Sequence, residues 1–253
     1  MVILGIADFF GVDSYRSFWS NYERMEGWVT LLHLLGFFFV IASTFTEKLW
    51  YRLIQISLGT SFFVGIHALT QLSNIDRING NLGNSTYLGA YAMLHVFFAL
   101  MLLLREFYAM NRNSQSLIRI CVYSVLIPFN VAILYFTGTR SALLGLVGGL
   151  IITAFIYIFT EKNHKVLRNI SIGIVVTVAV SVFLLGLIKD TEFVKSHDIL
   201  SRFGSLVTLD IKGYAETEGR ARFMVWGMAL EGVKERPILG WGQDNFVHVF
   251  NKY

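Results

Sequence analysis

The chain has 253 residues, of which 55% are hydrophobic and only 15% charged, with a mean hydropathy of +0.57. Soluble domains carry about a quarter charged residues, so a water-soluble globule is excluded. The net charge of +4 would suggest a nucleic-acid partner in a soluble protein, but the basic residues here sit in short connectors between apolar blocks, which removes that reading.

Crossing the hydrocarbon core takes about 20 mostly apolar residues, because lipid offers the backbone no hydrogen-bond partner. Residues 1–26 precede the first such stretch. They lack the basic start and small-residue site of a cleaved leader, so none is expected there. Membrane helices are predicted at 27–46, 49–72, 86–104, 118–137, 141–160 and 170–188, followed by a polar stretch over 189–253. Pro128 falls inside a span and removes one helical amide, which predicts a kink. Cys121 is the single cysteine, so no internal disulfide forms.

The fold class is therefore all-α integral membrane. It has about six spans (27–188), an N-terminal loop (1–26) and an external helical segment (189–253), as part of a larger polytopic bundle. The connectors holding Lys48 and Arg52, then Arg105, Arg112 and Arg119, then Lys162, Lys165 and Arg168 are basic and should face the cytoplasm. The connectors at 73–85 and 138–140, and both chain ends, then face outward.

Three outward segments carry polar motifs: RINGNLGNSTYLG at 77–89, TGTRSALLGL at 137–146, and residues 218–246 in the tail. Arg140 can be read as snorkelling to headgroups, as membrane arginines do. The alternative is a phosphate site: the turn is too short to be a solvated loop, and Thr139 and Ser141 can cap the following helix, whose N-terminus attracts anions. In the tail, Phe223, Trp226, Leu230 and Val233 recur at helical spacing, so a helix over about 219–235 should lie along the membrane or the bundle. Trp226 reads first as packing and second as a substrate contact. Arg222 lies one turn before it, while Arg220 points about 160° away. Pro237 and the glycines at 240 and 242 stop this helix. His33, His67 and His95 fall within spans, where neutral histidines commonly bond neighbouring helices; they share no metal-ligand spacing. No metal or cofactor is expected.

At these segments the chain resembles the O-antigen ligase superfamily, which includes lipopolysaccharide O-antigen ligases, O-antigen polymerases and protein O-oligosaccharyltransferases. The resemblance rests on Gly83, Asn84, Tyr87 and Leu88, and on Thr139, Arg140 and Ser141 before a glycine-rich helix. It continues through Arg222, Trp226, Ala229, Leu230, Pro237, Gly240, Gly242 and Phe246, and through the opening SFWSNYERMEGW at 17–28. It implies a multi-pass protein of the bacterial inner membrane with its active face outward. The implied activity is transfer of an oligosaccharide from a polyprenyl diphosphate carrier to an acceptor hydroxyl on a glycan, lipid or protein. Arg140 and Arg222 would be the catalytic pair, with Arg77, Asn84, Thr139, Ser141, Arg220 and Trp226 binding substrate. Family members usually carry about twice as many spans and a histidine-asparagine motif beyond the glycine turn; His248 lacks the following asparagine. The chain is therefore expected to be part of a longer frame, without transfer activity by itself. Rival readings are a transporter or flippase of lipid-linked glycans, which should show paired broken helices, and a non-catalytic membrane subunit.

Overall fold

The computed structural model describes residues 1–22, 25–73, 77–108, 113–160, 165–188, 191–196 and 219–253. Glu23, Arg24, Arg112, Lys162, residues 189–190 and residues 197–218 of the expected external segment lie outside them. Among the described residues every regular element is helical. The elements are α1 (Val2–Phe9), α2 (Ser14–Trp19), α3 (Trp28–Thr44), α4 (Glu47–Leu69), α5 (Ser85–Tyr108), α6 (Ser114–Phe136), α7 (Arg140–Thr160), α8 (Lys165–Ile188), α9 (Glu192–Ser196), α10 (Arg220–Glu235) and α11 (Phe246–Phe250).

Five of these, α4 to α8, are long and apolar enough to cross a membrane. The protein is an all-α integral membrane protein. The span expected at 27–46 is a shorter apolar helix of 17 residues. Extended backbone at Gly27 (ψ 171°) and at Phe45 (ψ 117°) bounds it, leaving a rod of roughly 26 Å at 1.5 Å per residue. Helix α6 runs through Pro128 without interruption. Helix α10 ends at Glu235, because Arg236 precedes Pro237 and adopts φ −132°, ψ 71°, outside the helical region.

The chain divides into two compact units, Met1–Lys48 with Asp210–Tyr253, and Leu49–Leu209. In the second unit α5 packs along α6 and α7, and α8 packs along α7. One buried cluster gathers Ala68, Ile78, Leu88, Ala92, Val96, Ile133, Leu134, Ala142 and Leu146. Another gathers Leu58, Ala99, Leu102, Tyr123 and Leu126 toward the opposite end. Glycines set the helix spacing. A Cβ on Gly145 would stand 2.7 Å from Met93 Sδ, and one on Gly149 2.4 Å from Phe97 Cζ, so α7 presents two hollows, one turn apart, to two large side chains of α5.

The two ends of this bundle differ in chemistry. At one, the Arg105 guanidinium stacks 3.3 Å over the Tyr51 ring. There Arg119 also grips Glu106 through Nε and Nη2 at 2.8 and 3.1 Å, while Ser116 donates to the same carboxylate. At the other end lie Gln71, the 77–84 loop and the 137–139 turn. Between them, His95 is buried with Nδ1 2.7 Å from the Tyr91 carbonyl and Nε2 2.8 Å from Ser57 Oγ. A carbonyl only accepts, so Nδ1 carries the proton and Ser57 donates to Nε2. This histidine ties α4 to α5.

Candidate functional site

The site begins with a glutamine. Gln71, just past α4, accepts from the amides of Asn79 and Gly80 (both 3.0 Å) and donates to Asn79 Oδ1 and Asn81 Oδ1 (3.3 and 3.2 Å). Four bonds from one side chain fold the 77–84 loop back, with Gly80 and Asn81 at positive φ (58° and 62°). Asn84 then caps α5, its Oδ1 accepting from the Thr86 amide at 2.8 Å.

The folded loop brings Arg77 to the α6–α7 turn. Its Nε donates to the Thr137 carbonyl at 2.8 Å and its Nη2 to Thr139 Oγ1 at 3.3 Å. The Ile78 amide reaches the Phe136 carbonyl at 3.4 Å. Gly138 turns at φ 58°, and a Cβ there would meet Arg77 Nε at 3.3 Å. Thr139 is 4% exposed; its hydroxyl donates to the Ser85 carbonyl (3.2 Å), while its own carbonyl takes the first bond of α7, from the Leu143 amide. Thr139 thus starts α7 through its backbone and holds the turn through its side chain. Gly89 closes the arrangement from α5, where a Cβ would press on Thr137, Thr139 and Ala142 at 3.1–3.2 Å.

Arg140 is the first residue of α7 and half-buried, and Ser141 beside it is exposed. Two arginines therefore meet at one turn, Arg77 through its side chain and Arg140 by its place in the chain, at a helix N-terminus whose free amides point along the axis past the helix end. Such an end favours anions, and guanidinium forks match phosphate. Of the residues expected from sequence, the structure brings Arg77, Asn84, Thr139, Arg140 and Ser141 to this end. Gln71, Ser85 and Gly89, which sequence reasoning missed, hold them there.

Arg220, Arg222 and Trp226 belong to the other unit, on α10, and all three are exposed. Phe223 and Trp226 meet edge to face at 5.5 Å. The stripe of Phe223, Trp226, Leu230 and Val233 is exposed along its length. Beyond α10, Trp241 Nε1 donates to the Gly232 carbonyl at 2.9 Å, and Arg236 lies over the Trp241 ring. The turn at 240–245 then docks on the N-terminal helices. The Gln243 amide donates to Asp8 Oδ1 at 2.7 Å, and Ser17 Oγ donates to the Gln243 carbonyl at 3.0 Å. Asn245 Nδ2 reaches Ser17 Oγ and the Trp241 carbonyl, both at 2.9 Å, and Arg16 pairs with Asp244 at 3.2 Å. Gly242, at φ 86°, lies so close to Ser17 and Gly11 that no side chain fits. Of the two tail glycines, Gly242 thus makes room for the chain's own beginning.

The family model described as O-antigen ligase matches residues 123–253, just over half of the chain. The chain belongs to the O-antigen ligase family. The matched stretch runs from α6 to the end, so the Arg140 turn, Arg222 and the glycine turn lie inside the O-antigen ligase region, and Arg77 lies before it. No curated protein and no solved structure matches the chain. As a member of this family it is a multi-pass membrane protein of the glycan ligase and polymerase type.

Proposed function

We propose that the protein takes part in transferring an oligosaccharide from a polyprenyl diphosphate carrier to an acceptor hydroxyl, at the outer face of the bacterial inner membrane. The acceptor oxygen attacks the anomeric carbon of the first sugar, the bond to the diphosphate breaks with its electron pair passing to the phosphate oxygen, and the hydroxyl proton passes to water as the glycosidic bond forms. Negative charge grows on the departing diphosphate, so fixed cationic donors lower the barrier more than they tighten ground-state binding. Arg140 is the residue for this role, with the first amides of α7. Arg77 keeps its turn in shape, and Ser141, exposed beside Arg140, contacts the same phosphates in this proposal. Arg222, with Arg220 and Trp226 on α10, makes further substrate contacts, while Asn84 borders the Arg140 turn at the start of α5. The carrying observation is Arg140 at the first position of α7, on a turn that Arg77 clasps from 60 residues away.

Topology supports the outward assignment. The N-terminal helices and the 240–245 turn are bonded together, so they lie on one side of the membrane, and an even number of crossings separates them. Five long apolar helices need a sixth; α3 is the apolar helix that can supply it, its shortfall against a core of about 30 Å met by local thinning. The positive-inside tendency then puts the Arg105 and Arg119 end in the cytoplasm and the Arg140 end outside. The test is binding of polyprenyl diphosphate to the purified protein in nanodiscs. Arg140→Lys should weaken it at least tenfold while insertion is unchanged. Equal binding by the variant would overturn the assignment.

A further inference from the structure

The N-terminal helices have their polarity inside out. Asp8 is 1% exposed in an otherwise apolar helix and accepts from the Gln243 amide. Ser17, fully buried, bonds Gln243 and Asn245, and Arg16 pairs with Asp244. Asp8, Arg16 and Ser17 are thus spent on the tail. The opposite surface shows Val2, Ile3, Phe9, Phe10, Tyr15 and Trp19, each at least 58% exposed. Water would leave this apolar surface uncovered, and a patch of this kind marks a contact.

We infer that α1 and α2 form an interfacial anchor, lying in the headgroup layer with this surface in lipid, and that the anchor holds the C-terminal turn at the membrane. Three observations commit the surface to lipid. It is continuous with α3: the Trp28 indole at the start of α3 donates to the Met1 carbonyl at 3.3 Å, and Gly5 packs on that ring. Helix α3 has no buried residue and is apolar nearly all round, the pattern of a helix set in a membrane. The aromatic content of the patch, with Phe9, Phe10, Tyr15 and Trp19 next to the end of an apolar helix, is that of residues settling at the membrane–water boundary.

The inference does not depend on glycan transfer, and its test uses lipid alone. In a Cys121→Ser background, a nitroxide is placed in turn on Phe10→Cys, Tyr15→Cys and Trp19→Cys. The protein is held in nanodiscs of phosphatidylethanolamine and phosphatidylglycerol. Collision with oxygen, which concentrates in the bilayer, should exceed collision with a water-soluble nickel chelate at two or more of the three positions. Nickel prevailing at two or more overturns the anchor, and so does spin–spin broadening that disappears on dilution with unlabelled protein, because it would assign the surface to a second copy. A label-free measurement guards against disturbance by the substitutions. Shallow brominated lipids should quench native tryptophan emission more in the unmodified protein than in Trp19→Phe; equal quenching in both would also overturn the anchor.

Discussion

Whether Arg77 acts on the ligand or on the turn can be decided by a double-mutant cycle with Arg140. Both residues are changed to lysine, singly and together, so the net charge is constant and long-range attraction cancels. In Arg140→Lys the fork is lost; one charge-assisted hydrogen bond contributes about 1.5–3 kcal/mol, or roughly ten- to 150-fold in affinity for polyprenyl diphosphate at 1.4 kcal/mol per decade. Arg77 makes bonds of 2.8 Å to the Thr137 carbonyl and 3.3 Å to Thr139 Oγ1, and Thr137 is fully buried. Lysine can reach one of these acceptors, so Arg77→Lys should cost about 1 kcal/mol of turn rigidity, near fivefold in binding. If that loss passes through the position of Arg140, the second substitution adds little once the first is made, and the coupling approaches the whole cost of Arg77→Lys, about 1 kcal/mol. Dissociation constants for the four proteins in nanodiscs give it directly. Additivity within about 0.3–0.5 kcal/mol would show that Arg77 does not work through Arg140, and the clasp argument would fail.

Three further outcomes are expected. Gly242→Ala forces a side chain into φ 86° with its Cβ 2.6 Å from Ser17 Oγ; the tail should detach from α1 and α2, read as faster proteolysis in residues 236–253, and unchanged cleavage would refute the docking. With Cys121 replaced, cysteines at the exposed positions Asn81 and Gly227 should react with an impermeant thiol reagent in whole cells while one at Ser114 does not, and the reverse pattern would invert the topology. Lys252 and Tyr253 hydrogen-bond Glu235 and hold its carboxyl below the ordinary carboxylate range. The contribution of this contact is present at neutral pH and lost as the pH falls through that lowered value. Backbone protection of residues 246–253, corrected for intrinsic exchange, should therefore drop on acidification, and Glu235→Gln should remove the dependence.

What the sequence made legible is what one stretch of chain decides alone. Apolar runs of 20 or so residues can only be helices in lipid, and α4 to α8 fall within a few residues of their expected bounds. Pro237 ended α10 as a local steric rule requires. The cationic turn was legible too, since Thr139, Arg140 and Ser141 are consecutive. Arg77 was readable as a basic residue in an outward loop, but its grip on Thr137 joins positions 60 apart and depends on Gln71 folding the loop, which no local pattern encodes. The length of α3 escaped for a similar reason: hydropathy continues through Phe45, while the backbone there is already extended.

The docking of the two chain ends spans even greater separations, 226 residues from Ser17 to Gln243 and 235 from Asp8 to Gln243. One signal for it was present. A lone aspartate in VILGIADF is costly in any apolar setting unless a donor meets it, and no other side chain of that helix is a donor. The residue therefore implied a distant partner, and a tail with two glycines at a turn is the kind of backbone that can approach closely enough to supply an amide. The glycine turn and the buried aspartate are two halves of one requirement. A buried carboxylate needs a donor, and the absence of a side chain at position 242 lets the Gln243 amide come near enough to supply one to Oδ1. The same contact explains how α1 and α2 can be apolar on their outer surface: Asp8 Oδ1 and the Ser17 hydroxyl are met from within.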